Sequence, residues 1–158
     1  LVLLGSNKFM LKEYNEANVA DRDKPYQVNF SFELEDYAIQ VEKELYINLF
    51  MDRAYEKLTL EPDRVTAYEM DFLSAYNTTY NLKIPQNYSV KYLPENFSLD
   101  NALMKADFTY ANKAGVVSLN AKIQVKKLLI EKADFALWTD TVKQLKNAYT
   151  QTLILTEK

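Results

Sequence analysis

Neither histidine nor cysteine occurs in this chain of 158 residues, and glycine occurs only twice, at Gly5 and Gly115. The first two absences remove a thiol nucleophile, an imidazole general base, a Cys/His zinc site, a haem ligand and any disulfide framework. The scarcity of glycine removes phosphate-cradling loops, which need several glycines at fixed offsets. No apolar run approaches the length of a membrane span, and the apolar start, Leu1-Val2-Leu3-Leu4, is too short for a signal-peptide core. Because the chain also begins without Met, it reads as a piece excised from the C-terminal part of a longer protein.

What remains is an ordinary globular composition. Hydrophobic residues make up 48% and charged residues 26%, a balance that folds. The length fits a single domain, residues 1–158, burying roughly 68 to 70% of its unfolded surface. Net charge is −3, with 19 basic and 22 acidic groups, unevenly spread. Residues 1–104 hold 10 basic and 17 acidic groups, whereas residues 105–146 hold 8 basic and 4 acidic. Lys122 and Lys126 fall on one face of an expected strand with Lys127 beside them. Nucleic-acid binding needs a basic domain with a concentrated patch, so these lysines read as a solvated face guarding a sheet edge, and nucleic acid is not an expected partner.

Tyr26, Val28, Phe30, Phe32 and Leu34 alternate with Gln27, Asn29, Ser31, Glu33 and Glu35, the period of a strand with one wet face. The pattern returns over residues 76–84 and 117–125. Shorter candidates are residues 7–14, 65–72, 88–93, 104–110 and 151–156. Alternation implies antiparallel pairing, since parallel strands are buried on both faces and read as continuous apolar runs. The expected fold is all-β: an antiparallel β-sandwich of eight or nine strands with one C-terminal α-helix packed on a sheet. An open barrel is the alternative. With few glycines, the turns must use Asn and Asp, and Pro25, Pro62, Pro85 and Pro94 fall where strands start or stop.

The helix is marked by Phe135, Trp138, Val142, Leu145 and Tyr149, spaced three, four, three and four to form one stripe. Asp134 is its candidate N-cap, and Lys143 and Lys146 lie near its C-terminal end, where the helix dipole favours cations. The segment Glu44–Phe50 is apolar on both faces, with Leu45, Ile47 and Leu49 on one and Tyr46 and Phe50 on the other. Either the helix covers it, or Tyr46 and Phe50 form an aromatic binding surface. Cover is the expectation, because large apolar side chains are more often packed than displayed.

Catalysis would have to rest on carboxylates. Glu33 with Glu35, Glu42 with Glu44, and Asp21 with Asp23 are the pairs available. Glu33 and Glu35 share a strand face, but a glycoside hydrolase sets its two carboxyls across a cleft, and theirs is the polar face of an amphipathic strand. Asp21-Arg22-Asp23 lacks the glycine and distal glutamate of a calcium loop and reads as a charged turn. No Ser-x-x-Lys occurs. No catalytic residue, metal or cofactor is expected. Twelve tyrosines invite a carbohydrate-binding or adhesion reading, but Tyr26, Tyr76, Tyr80, Tyr88 and Tyr92 lie on the apolar phase of their strands and are core candidates first. Asn-x-Ser/Thr sequons at Asn29, Asn77, Asn87 and Asn96 carry little weight in so Asn-rich a chain.

From Tyr80 through Asn96, the run Tyr-Asn-Leu-Lys-Ile-Pro-Gln-Asn-Tyr-Ser-Val-Lys-Tyr-Leu-Pro-Glu-Asn is a strand, an Ile-Pro turn and a second strand ending in Leu-Pro. It resembles a hairpin in the C-terminal β-sandwich domain of bacterial transglutaminase-like proteins. Asp23-Lys24-Pro25-Tyr26, Leu45-Tyr46-Ile47-Asn48-Leu49, the helix through Trp138 and the closing Thr152-Leu153-Ile154-Leu155 fit the same order, so the likeness runs from about Phe9 to the end. It implies a non-catalytic accessory domain whose partner is the preceding transglutaminase-like, papain-fold domain of the same chain. The Cys-His-Asp triad belongs to that preceding domain, and no residue here matches it. The resemblance also implies a periplasmic, cell-surface or secreted parent. A protein or glycan ligand for the domain itself stays open.

Overall fold

A computed structural model describes residues 9–158 except Pro62. Expectations that rest on Leu1–Leu4, Gly5, residues 7 and 8 and Pro62 lie outside the described residues. The chain divides into two compact units, one ending at Ile39 and one running from Gln40 to Lys158.

The first unit is a hairpin of β1 (Phe9–Ala17) and β2 (Gln27–Leu34). Its register pairs Phe9 with Leu34, Leu11 with Phe32, Tyr14 with Phe30 and Glu16 with Val28. Leu11 and Tyr14 are three apart, which regular alternation would send to opposite faces. A bulge between Leu11 and Glu13 absorbs Lys12 and returns Tyr14 to the apolar side. In the turn, the Asp21 side chain accepts from the Asp23 N–H at 3.1 Å and pairs with Lys24, while Asn18 takes φ 61° and donates to the Pro25 carbonyl. Asp21-Arg22-Asp23 is thus a charged turn.

The second unit contains β3 (Ile39–Val41, whose first residue closes the first unit), β4 (Glu44–Ile47), β5 (Tyr68–Glu69), β6 (Ala75–Lys83), β7 (Tyr88–Tyr92), β8 (Phe97–Asp100), β9 (Met104–Lys113), β10 (Val116–Val125), β11 (Leu129–Ile130), α1 (Phe135–Tyr149) and β12 (Leu153–Glu157). One antiparallel sheet runs β6-β10-β9-β8 and another β3-β4-β12-β7, with a small β11-β5 pair beside them. Among the described residues the protein is mostly β, with antiparallel pairing as the alternation implies, one C-terminal α-helix and no closed barrel. β9 and β10 meet through Ala114 (φ 50°) and Gly115 (φ 77°), a two-residue turn that needs left-handed backbone at both positions.

The core sits where strand alternation and helix stripe converge. Val117, Leu119, Ala121, Ile123 and Val125 of β10 are buried, as are Met104, Ala106, Phe108 and Tyr110 of β9 and Leu153 and Leu155 of β12. From α1 come Trp138, Val142, Leu145 and Tyr149. At roughly 1.5–3 kcal/mol for each large apolar side chain, this burial holds a helix that would be marginal alone.

Several expectations need correction. Residues 65–72 are not a strand beyond the Tyr68–Glu69 pairing, and β8 is an additional strand. The segment expected as a strand from Glu44 to Phe50 stops at Ile47. There the Asn48 side chain accepts from the Phe50 N–H (2.8 Å) and donates to the Tyr149 carbonyl (2.6 Å), which turns the backbone toward the helix end. On β6, Tyr76 is exposed and Tyr80 only half-buried, because β6 is an edge strand with one neighbour. Tyr26 and Tyr92 are exposed as well, and the buried tyrosines are Tyr110 and Tyr149. Asp134 does not cap α1 through its side chain. It closes a 3-10 turn (Lys132–Asp134), and its carboxylate accepts from the Glu131 N–H (3.0 Å) and from Lys127 (2.6 Å).

Candidate functional site

The structure separates the two residues singled out as an aromatic surface. Phe50 is in the core, its ring 4.8 Å edge-on from Tyr149 and 4.9 Å from Phe108. It is covered by the helix and leaves no face for a ligand. Tyr46 stays half-exposed on β4, across from Ile154 of β12, which in turn lies opposite Tyr92 of β7. Directly opposed residues share a face. Since Leu153 and Leu155 point inward, Tyr46 and Ile154 lie on the outer face of this sheet, while Tyr92 meets Ile154 at a register shift that skips Lys91.

Beside Tyr46, Lys91 donates to Glu44, and the Tyr46 hydroxyl donates to the same carboxylate at 2.8 Å. The lysine and then the tyrosine hold Glu44 below the usual carboxylate range, and the carboxylate in turn raises Tyr46 and Lys91. Glu44 is therefore a partnered anion rather than a proton donor near neutral pH.

Several other carboxylates are likewise engaged in structure. Glu33 pairs with Lys12 at 3.1 Å across the hairpin. Asp100 is held low by Lys126, which also donates to the Asn101 carbonyl, and Lys127 bridges Glu131 and Asp134. Lys126 and Lys127 thus serve as local ties. Among the described residues, no cluster of three Asp or Glu side chains is placed to hold a metal ion, and no helix is long and apolar enough to cross a membrane.

Tyr92 borders a groove of about 330 Å³. The groove runs between the link joining β7 to β8, the two sheets' edge strands, and the C-terminal part of α1. Its walls are Glu95, Asn96 and Phe97 on one side and Gln144, Asn147 and Gln151 on the other, over a floor at Ala148. The Asn96 oxygen accepts the Tyr110 N–H (2.8 Å) and the Gln144 amide donates to Asp140 (2.7 Å), so these two are held in place. Among the described residues, Glu95 pairs with no cation and the Asn147 side chain makes no protein hydrogen bond. Sequence reasoning assigns Tyr92 to the core and passes over this groove. The available signal is the polar spacing Gln144, Asn147, Gln151, which puts amides on one side of the helix end.

The comparisons with known proteins bear on the second unit. Residues 43–155 match the family "Domain of Unknown Function with solved-structure structure (DUF3858)". The chain belongs to that family. The DUF3858 fold recurs, at TM-score 0.58 and 13% identity, in the crystal structure of a protein from Parabacteroides distasonis described as a "putative protease". The alignment covers 73% of this chain and 24% of that one, so the chain spans about a quarter of its neighbour's length. No curated protein matches. The family and fold are those of a β-rich domain of unknown function, and the match leaves the hairpin of β1 and β2 outside the family segment.

Proposed function

We propose that this DUF3858 chain is a non-catalytic accessory domain, structural or recognition in role, that follows a transglutaminase-like, papain-fold core in a longer protein. The observation that carries the reading is that the same fold forms about a quarter of a longer chain described as a putative protease. The engagement of Glu44, Asp100, Glu131 and Asp134 as ion-pair partners supports it too, since glycoside hydrolysis requires two carboxyls set across a cleft. The reading includes an exported parent, periplasmic, cell-surface or secreted.

The test is to express the parent protein with and without residues 40–158 and to measure peptide hydrolysis and amide transfer in both. The expected result is that the chemistry stays with the upstream core, while the truncated form loses thermal stability or substrate affinity. A native gene that encodes no Cys- and His-bearing core upstream, or hydrolysis by the 158-residue chain itself that Glu33→Gln abolishes, would overturn the reading.

A further inference from the structure

We infer that the groove between the β7–β8 link and the end of α1 is a binding site for a neutral saccharide. This goes beyond the accessory reading and holds whatever the parent's chemistry is.

Three features of the groove point to that ligand class. The first is its chemistry. Four of the lining side chains, Asn96, Gln144, Asn147 and Gln151, are amides, and no cation lines it. A side-chain amide offers a donor pair and an acceptor together, the combination that matches adjacent hydroxyls, each of which both gives and accepts. Anionic ligands are disfavoured because the lining carries a carboxyl side chain, Glu95, with no counter-cation among the described residues.

The second feature is the aromatic surface at the rim. Tyr92 is 42% exposed although it belongs to a strand. With Phe97 in the same lining, it gives the groove an aromatic margin. A saccharide ring has an apolar face of C–H bonds as well as a hydroxyl edge, so it can lie on the tyrosine while its edge meets the amides.

The third is preorganisation. Asn96 is fixed by the Tyr110 N–H and Gln144 by Asp140, leaving Asn147 and Glu95 as uncommitted groups between anchored ones. Binding then orders few side chains. The volume of about 330 Å³ is at the lower end for small-ligand pockets and suits a mono- or disaccharide. An extended peptide fits less well, since its alternate side chains need apolar pockets, and Phe97 and Ala148 are the only apolar surfaces beside Tyr92.

The experiment uses the 158-residue chain, labelled with nitrogen-15, and follows its amide spectrum on addition of maltotriose, cellotriose, chitotriose and, as a peptide control, tetra-alanine. The expected result is saturable shifts with one of the sugars in the millimolar range or tighter, centred on residues 92–97 and 144–151. Tyr92→Ala and Asn147→Ala should each weaken that binding about tenfold or more. Both residues are exposed, so both variants should keep the parent urea midpoint, which separates a lost contact from a lost fold. No shift with any sugar at tens of millimolar, shifts confined to other surfaces, shifts indifferent to both substitutions, or a response to tetra-alanine alone would each overturn the assignment. Failure here leaves the accessory reading standing, because that reading is tested on the parent's chemistry.

Discussion

Tyr149 stands edge-on to Phe50 at 4.8 Å and donates its hydroxyl to the Ala54 carbonyl at 2.9 Å, so the last turn of the helix both packs against and tethers the segment that leaves β4. Trp138 does the same about three turns earlier in the helix, donating its indole N–H to the Leu58 carbonyl at 3.0 Å. Two large aromatics, each with one polar handle, thereby pin an irregular stretch from Asn48 to Leu58 over the core. Such a stretch has no ladder of its own, and these side chains satisfy backbone groups that burial would otherwise leave costly.

Trp138→Ala should therefore cost about 3–5 kcal/mol, the range for emptying a buried tryptophan site. Trp138 is the only tryptophan and is fully buried, so the wild-type chain should emit blue-shifted fluorescence that moves red at the urea midpoint. A circular-dichroism midpoint unchanged in Trp138→Ala would mean that the helix is not docked.

Asn48→Ala should cost about 1–3 kcal/mol, because it strands the Tyr149 carbonyl and the Phe50 N–H together. Asn48→Asp keeps the acceptor for Phe50 but sets a carboxylate against a carbonyl, so it should recover only part of the loss. Equal midpoints for wild type and Asn48→Ala in urea titration would remove Asn48 from the account of where β4 ends.

Alkaline pH should destabilise the second unit through Tyr110. Burial, with a smaller contribution from Tyr92 nearby, pushes its phenol up to about 12 from an ordinary 10.0. Between those values the unfolded chain gives up a proton that the folded chain keeps, so stability is complete below about pH 10 and drains away as pH rises through about 12. Tyr149, raised by burial, acts in the same direction. Urea midpoints taken across that window should fall steeply for wild type and less steeply for Tyr110→Phe. Parallel curves for the two proteins would contradict the assignment.

Deleting Lys12 should leave the hairpin's apolar face intact. The bulge holds one residue more than the partner strand can match, and without Lys12 a plain alternation sets Phe9, Leu11 and Tyr14 opposite Leu34, Phe32 and Phe30. The lost Lys12–Glu33 pair is exposed and worth at most about 1 kcal/mol. Inserting an alanine between Tyr14 and Asn15 should instead throw Glu16 off the face it shares with Val28. Amide exchange read along β1 and β2 distinguishes them: protection kept in the deletion and lost beyond Tyr14 in the insertion.

Much of the fold is legible in the chain because its signals are local. β10 alternates over its full length and is buried on the apolar phase without exception. The stripe from Phe135 to Tyr149 coincides with the bounds of α1. The site is less legible. The sequence predicts cover for Tyr46 and Phe50 together; Phe50 is buried, but Tyr46 stays half-exposed because the strand ends at Ile47 and the backbone turns between the two. Tyr92 falls on the apolar phase of its strand in the sequence, yet a register shift on this edge strand sets it opposite Ile154 while Val90 stays opposite Leu155, and it is left 42% exposed.

By itself, then, the sequence determined that this chain has no thiol or imidazole to offer, the antiparallel character of its strands, and the helix with its buried stripe. Composition and periodicity settle these because they depend on what each residue is and on its neighbours a few positions away. Only the tertiary structure decided which strands became edges, where the polar groups of Asn48, Trp138 and Tyr149 found partners, and that amides from the helix end meet the β7–β8 link across a groove. Those outcomes depend on segments roughly 50 to 100 residues apart being brought together by burial, which no local pattern specifies.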